Sequence, residues 1–230
     1  MAYRGDVDLT ITIDSGRSVS ALASVPSSPT VCYVLAHGAG AGMTHPFMTA
    51  VATELADLDI GTLRYQFPYM QEGTRRPDPP VRCHAAVRAA VAEATRLTRG
   101  LPLIAGGRSF GGRMTSQAQA LAPLPGVRGL VFLGFPLHPA GTPSMDRAKH
   151  LADVRIPMLF LQGTRDALAQ LDLMEKLARQ LGERATLKLL PDADHSWHVP
   201  ARTGRKDPQV RAEALRLLAD WVQSVILPSR

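Results

Sequence analysis

Three residue types suited to acyl transfer follow one another along the chain as Ser109, Asp166 and His195. A serine hydroxyl is a weak nucleophile at neutral pH, so it needs an imidazole to take its proton. The imidazole in turn needs a carboxylate to fix its tautomer and to stabilise its cation. Each of the three residues comes directly after an apolar run, or one turn beyond it. We therefore expect Ser109 to be the nucleophile, Asp166 the acid and His195 the base.

Ser109 lies in the segment LPLIAGGRSFGG, residues 101–112. An apolar run that stops at a glycine-flanked serine is typical of a strand that turns sharply into a helix. Gly107 and Gly111 would let the two backbones pass closely. The residues before the turn predict a buried parallel strand, and Met114–Leu121 predicts a helix. The segment thus predicts a nucleophile elbow, although a glycine-rich turn with an incidental serine remains the alternative.

His195 is preferred as the base because it follows the last predicted strand and its turn, whereas His198 lies deeper in the loop. The other candidate bases are His37 and His84. Asp166 also has a second interpretation as the cap of the following helix, which is compatible with catalysis. Asp192 and Asp194 compete with it as the carboxylate, but they are too near His195 in sequence to reach its ring from behind.

The developing oxyanion needs two hydrogen-bond donors. In an elbow, the first donor is the backbone N–H of the residue after the nucleophile, here Phe110. The second comes from the loop His37–Gly40, with Ala39 as first choice and Gly40 as second. That glycine-rich loop could instead be needed only to pass close to the elbow. A dinucleotide site is rejected because the pattern Gly-x-Gly-x-x-Gly from Gly38 meets Met43 at its last position.

The substrate pocket should be roofed by two short loops, Pro68–Pro80 and Leu137–Pro143. Only Pro136–Arg155 separates two predicted strands at the place where a lid could be inserted, so no cap is expected. Arg75, Arg76 and Arg108 could hold an anionic group, although solvated surface arginines are the simpler interpretation. The residues expected to contact substrate are His37, Phe67, Tyr69, Met70 and Arg108.

Strand patterns alternate with helix patterns along the chain, which predicts an α/β fold with a mostly parallel eight-stranded sheet covered by helices on both faces. An opening hairpin is predicted from Val7–Ile13 and Ser18–Val25. The further predicted strands are Val31–Ala36, Ile60–Phe67, the run before the elbow, Leu130–Phe135, Ile156–Gln162 and Thr186–Leu190. The further predicted helices are one beginning at Pro46, Val81–Leu97, Met145–Leu151, Leu168–Leu181 and Pro208–Ile226.

The composition of the chain argues against several classes of function. The formal net charge is +6, from 22 Arg and 4 Lys against 20 acidic residues, but the cations are scattered, so nucleic-acid binding is not expected. We expect one domain, residues 1–230. We also expect the protein to be cytoplasmic and not membrane-bound, because no apolar run is long enough to span a bilayer and Met1–Asp8 lacks a signal-peptide core. Cys32 and Cys83 are expected to be reduced, with no metal site and no cofactor. A homodimer is compatible with these features.

Taken together, these segments resemble the α/β-hydrolase superfamily and its dienelactone-hydrolase-like branch. The resemblance is nearest to the small α/β-hydrolase-like domains of bacterial predicted hydrolases, a testis-expressed protein and a histone acetyltransferase complex subunit. It covers nearly the whole chain and is carried by LAHGAGAGMTHPFM, LRYQFPYMQEGTRRPDPP, GGRSFGGRM, LGFPLHPAG, Lys149-His150, FLQGTRD and DHSW.

The resemblance implies a compact hydrolase without cap or cofactor, with Ser109, Asp166 and His195 as triad. Dienelactone hydrolases proper use a cysteine nucleophile, so Ser109 argues against dienelactone cleavage itself. Ala167-Leu168-Ala169 also departs from a Pro-Phe-Gly-like stretch of relatives. We expect a serine hydrolase acting on a small acyl ester through an acyl-enzyme. The rival hypothesis is an interaction module that has lost useful turnover, because one branch of the group serves in a protein complex.

Overall fold

An eight-stranded sheet forms the centre of the structure, a computed structural model that describes residues 5–227. The expectations for Met1–Asp8 and for the span 1–230 therefore fall partly outside the described residues. The spatial order of the strands is β1-β2-β4-β3-β5-β6-β7-β8. The strands are β1 Val7–Asp14, β2 Arg17–Ser24, β3 Val31–Ala36, β4 Ile60–Tyr65, β5 Leu103–Arg108, β6 Val127–Leu133, β7 Met158–Gly163 and β8 Ala185–Leu190.

The sheet is mostly parallel. The hairpin β1–β2 adds to β4 in antiparallel fashion, and every other pairing is parallel. The central strands β3 and β4 are buried at every position. β3 is apolar along its whole length, because a strand covered on both faces has no solvent side. β4 is equally buried but also carries Thr62 and Arg64.

Six α-helices cover the two faces of the sheet. Helices α1 and α6 pack on one face, and α3, α4 and α5 pack on the other, each layer enclosing its own apolar cluster. The helices are α1 Pro46–Ala56, α2 Pro68–Gln71, α3 Pro80–Thr98, α4 Phe110–Leu121, α5 Leu171–Leu181 and α6 Asp207–Trp221. A 3₁₀ helix, Asp146–Asp153, packs beside α4, and a π-helical turn, Val222–Ile226, follows α6.

The predicted fold class is confirmed, with shifts at several element boundaries. The expected loop Pro68–Pro80 begins with the short helix α2, because Pro68 occupies a first helical turn that needs no N–H from it. The helix expected from Leu168 begins only at Leu171. Within residues 5–227, only the 3₁₀ helix lies between β6 and β7, so no cap covers the sheet edge there.

None of the helices described between residues 5 and 227 combines the length and the apolar character required to cross a bilayer.

Candidate active site

Ser109 occupies the bend between β5 and α4. Its backbone has φ 48° and ψ −112°, a conformation that a residue with a side chain adopts only at a cost of roughly 1–3 kcal/mol. The helix can leave the strand this sharply only because Gly111 has no side chain. A Cβ there would lie 2.5 Å from the carbonyl oxygen of His37. The structure thus has the elbow geometry expected from the sequence.

The elbow brings the Ser109 hydroxyl to His195. The Ser109 Oγ lies 2.9 Å from Nε2 of His195, and Nδ1 of the same ring lies 2.6 Å from Oδ2 of Asp166. The Asp166 side chain is fully buried, whereas that of His195 is 21% exposed. A buried carboxylate beside Nδ1 favours the tautomer with hydrogen on Nδ1, which leaves Nε2 free to accept from the serine. The three residues therefore form one hydrogen-bonded chain that ends at the serine oxygen.

Asp166 does not cap the following helix, because the residue before the start of α5 is Gln170, but its second oxygen closes a local turn. Its Oδ1 accepts a hydrogen bond of 2.8 Å from the backbone N–H of Leu168. The turn closed by this bond delays the start of α5 and leaves Leu168 in the loop above the site.

The other candidate acids and bases lie elsewhere. His198 Nδ1 is 3.0 Å from Oδ2 of Asp207 on the surface, and this contact raises the pKa of His198. Asp194 accepts backbone hydrogen bonds from Ser196 and His198, so its carboxylate closes a local turn. His84 faces Gln117, between α3 and α4. The carboxylate at Nδ1 of His195 therefore belongs to Asp166 and not to Asp192 or Asp194.

Two backbone N–H groups beside Ser109 lack an acceptor. Within residues 5–227, neither Phe110 N–H nor Ala39 N–H donates to a backbone or side-chain atom. Ala39 lines both clefts that open at Ser109. The N–H of Gly40, in contrast, donates to the Tyr69 hydroxyl at 3.3 Å. Ala39 and Phe110 therefore remain available as oxyanion donors, and Gly40 does not.

Three residues expected to contact substrate are instead structural. His37, Phe67 and Tyr69 are buried, and none of them lines either cleft. His37 Nε2 accepts from the Phe67 N–H at 3.1 Å, so its other nitrogen donates to the carbonyl of Gly38 at 2.7 Å. Burial lowers the pKa of His37 to about 4, which keeps the ring neutral. The expectation for them was wrong because they hold the loop after β3 against the end of β4.

Met70 is likewise outside both clefts, since its methyl group lies against Gly42. The aromatic rings of Phe67 and Tyr69 pack against Phe110 from beneath, with centroids 5.5 and 6.3 Å away. These side chains therefore support the elbow residue and do not form the wall of the pocket.

Arg108 lines one of the two clefts, which we call the Arg108 cleft. This cleft of about 350 Å³ also contains Phe47, Met48, His195 and Leu168. The Arg108 guanidinium lies over the Phe47 ring at 4.7 Å and donates to the carbonyl of Leu133. Burial lowers the pKa of Arg108 to about 10, a shift opposed by the nearby charges of Asp166 and Asp194. Arg108 is thus the one predicted contact residue that reaches a cleft.

The second cleft, of about 410 Å³, lies on the other side of Ser109, and we call it the Arg113 cleft. Its walls come from α4, the loop before α3, the loop after β6 and the 3₁₀ helix. The wall residues include Arg113, Met114, Asp78, Pro136, Arg147 and Leu168. The sequence reasoning missed them, although the position of Arg113 one helical turn after Ser109 was a usable signal. Arg147 carries no such signal.

A comparison with protein-family models shows the family of the chain. The family model described as an alpha/beta hydrolase domain matches residues 29–223. The chain belongs to the α/β-hydrolase family.

Three solved structures show the same fold at low sequence identity. A serine hydrolase without a lid from Xanthomonas campestris has 20% identity and a TM-score of 0.73, with 95% of each chain covered. Dienelactone hydrolase from Anabaena variabilis has 19% identity and a TM-score of 0.76, covering 96% of this chain and 97% of that one. Est1E from Butyrivibrio proteoclasticus, solved with ferulic acid bound, has 15% identity and a TM-score of 0.76, covering 96% and 100%.

Proposed function

We propose that this α/β-hydrolase is a carboxylesterase-like serine hydrolase that cleaves small acyl esters through an acyl-enzyme. The observation that carries the proposal is the hydrogen-bonded chain from Ser109 through His195 to Asp166, with the Ser109 Oγ 2.9 Å from His195 Nε2. The neighbours that are described as a serine hydrolase or that were solved with an aromatic acid support the same class of chemistry.

In the first half-reaction, Ser109 Oγ attacks the ester carbonyl carbon while His195 Nε2 takes the hydroxyl proton. Asp166 stabilises the imidazolium from its other side. The negative charge that forms on the carbonyl oxygen is held by the N–H groups of Phe110 and Ala39. His195 then gives its proton to the leaving alkoxide, and the acyl group stays on Ser109.

In the second half-reaction, water takes the place of the alcohol. His195 removes a proton from the water as the water oxygen attacks the acyl carbon, and the same oxyanion donors hold the second intermediate. Transfer of the proton back to Ser109 releases the carboxylic acid and restores the resting state. No group besides the substrate and water is consumed.

The strained backbone at Ser109 favours an enzyme over an inert interaction module. A positive φ at a residue with a side chain destabilises the fold, and this conformation turns the hydroxyl toward His195. The two N–H groups without acceptors fit the same interpretation. An interaction surface would need neither feature.

The experiment compares Ser109→Ala with Ser224→Ala, a control at an exposed position in the π-helical turn after α6. We expect Ser109→Ala to lose fluorophosphonate labelling and at least about a thousandfold in kcat/KM for p-nitrophenyl acetate. Ser224→Ala should retain both. Labelling that persists in Ser109→Ala would refute the nucleophile, and a folded wild-type protein that is neither labelled nor active would favour the interaction module.

A further inference from the structure

Two arginines from different elements line the Arg113 cleft beside the Ser109 hydroxyl. Arg113 lies on α4, one helical turn after Ser109, and its N–H donates to the Ser109 carbonyl at 3.1 Å. Arg147 lies on the 3₁₀ helix. Because Ser109 lines the same cleft, both arginines border the space into which a substrate bound to this serine would extend.

Neither arginine has an anionic partner among residues 5–227. Arg113 and Arg147 form no salt bridge or side-chain hydrogen bond there, and the Nε of Arg113 is buried without an acceptor. Asp78 also lines the cleft. Its Oδ1 forms a salt bridge of 2.6 Å with Arg82, which also pairs with Glu72, and its Oδ2 is buried without a hydrogen-bond partner. The lining of the cleft therefore has two guanidinium groups against one carboxylate, a net positive charge close to the nucleophile.

Arg113 packs against a ring, and the element that carries Arg147 is tied to α4. The Arg113 guanidinium lies 5.8 Å from the centroid of the Phe110 ring. Ser116 on α4 and His150 on the 3₁₀ helix are joined by a hydrogen bond of 2.7 Å, which ties together the two elements that carry the arginines. A cleft whose cations are already placed binds an anion at a smaller entropic cost.

We propose that the Arg113 cleft is a carboxylate-binding subsite, and that the natural substrate is an ester with a carboxylate a few bonds from the scissile carbonyl. This inference rests on the proposed function, because it places one end of the substrate at Ser109. Guanidinium groups suit this ligand, since their planar N–H forks match the two oxygens of a carboxylate. Apart from Asp78, the remaining lining is mostly apolar, and Met114, Pro136 and Leu168 would contact the methylene chain between the two groups.

The electrostatics of the cleft agree with an anionic ligand. Burial and the neighbouring charge of Arg147 both lower the pKa of Arg113, so the cation is held at a free-energy cost. A carboxylate between the two guanidinium groups would offset their mutual repulsion. The positive charge of the two arginines would also attract an anionic substrate before it binds, and added salt would weaken this attraction.

The test compares two p-nitrophenyl esters of equal chain length, the adipate half-ester and the hexanoate. They differ only in a carboxylate or a methyl group at the far end. The quantity measured is the ratio of kcat/KM for the adipate half-ester to that for the hexanoate, after subtraction of spontaneous hydrolysis. We expect this ratio to be well above one in the wild type and to fall when sodium chloride is raised.

Arg147→Met should lower this ratio by about tenfold or more, and Arg147→Lys should restore part of it. Arg216→Met serves as the matched control because it removes the same charge from the exposed face of α6, and it should leave the ratio unchanged. Calorimetry with free adipate should detect binding to Ser109→Ala that is lost when Arg147→Met is added.

The outcomes separate the two proposals. Wild-type protein that is labelled by a fluorophosphonate but shows the same ratio as Arg147→Met would overturn the subsite and leave the serine hydrolase standing. An equal fall of the ratio in Arg216→Met would also overturn it, because net charge alone would then explain the preference. Absence of labelling in the wild type would overturn the proposed function itself.

Discussion

The side-chain amide nitrogen of Gln162 lies 2.5 Å from Oδ2 of Asp166, the same oxygen that His195 contacts. Gln162 is fully buried at the end of β7, and its own oxygen accepts from the N–H of Phe135 at 2.9 Å. The amide is thus fixed in orientation by the neighbouring loop. With Leu168 N–H on Oδ1, the Asp166 carboxylate is held from both sides. Gln162 is therefore a positioning residue, which acts through Asp166.

Gln162→Met should keep the fold and lower kcat/KM for p-nitrophenyl acetate by roughly 10–100-fold. The reason is that a carboxylate without its amide donor can rotate away from His195. Losing a donor also concentrates charge on Oδ2, so the acid limb of the pH profile should move to higher pH. Gln180→Met on the exposed side of α5 is the control. An unchanged pH profile alongside reduced activity would mean that Gln162 has only a structural role.

His195→Ala and His198→Ala should behave in opposite ways. His195→Ala should lose at least about a thousandfold in kcat/KM, because no other imidazole lies within hydrogen-bonding distance of Ser109 Oγ among residues 5–227. His198→Ala should retain most of the activity, since its ring faces Asp207 on the surface. Steady-state kinetics on both variants, with labelling of Ser109, would show whether the base has been chosen correctly. Reversed results would assign that role to His198.

Two neutral histidines should make the protein less stable in mild acid. Burial lowers the pKa of His37 and that of His150 to about 4, and the charge of Arg113 contributes at His150. The unfolded chain, with histidine pKa values near ~6.5, binds more protons between about pH 6.5 and 4. The free energy of unfolding should therefore decrease as the pH falls through that range, by up to roughly 3 kcal/mol for each histidine.

Urea denaturation at pH 7.5, 6.0 and 5.0 measures this dependence. His150→Gln should flatten it, because glutamine can keep a hydrogen bond to Ser116 without titrating. His198→Gln should steepen it, since Asp207 raises the pKa of His198 and its contribution is present at low pH and lost as the pH rises. A slope that is the same in all three proteins would show that these histidines do not control acid stability.

The sequence predicted the sheet and the elbow well because both depend on local patterns. Apolar runs ending in glycine, such as the one before Ser109, determine a buried strand and a sharp turn together. The ends of the helices and strands were predicted less accurately. The start of α5 shifted to Leu171 because the Asp166 carboxylate accepts the Leu168 N–H, a bond that matters only once Asp166 has been placed against His195.

The walls of the pocket were harder to predict than the reacting groups. Phe67 and Tyr69 follow a strand and are apolar, which suited a wall equally well as a support under Phe110. Which of these two roles the side chains have depends on packing between β4, the loop after β3 and α4, which are far apart in sequence. Arg147 reaches the Arg113 cleft only because the Ser116–His150 contact holds the 3₁₀ helix against α4. No spacing in the sequence encodes that approach.

The two clefts make a prediction about acyl chain length. The Arg108 cleft has an apolar wall in Phe47, Met48 and Leu168, but its lining also includes the polar residues His45 and Ser196. The Arg113 cleft has apolar lining in Met114 and Leu168, but a long alkyl chain in it would meet the charged ends of Arg113 and Arg147. Burying methylene groups stabilises binding by about 0.8 kcal/mol each only while apolar wall is available, and covering an unpaired cation opposes it.

We therefore expect kcat/KM for neutral p-nitrophenyl esters to fall from acetate or butyrate toward dodecanoate, by roughly tenfold or more over the series. Replacing Arg147 tests whether its charge causes this fall with chain length. Arg147→Met should lessen the penalty for long chains, because the alkyl group would then meet a methionine where the wild type presents a cation. Arg216→Met, remote from both clefts, should leave the profile as it is. A wild-type profile that rises steadily to dodecanoate would indicate a deep acyl tunnel and contradict this description of the site.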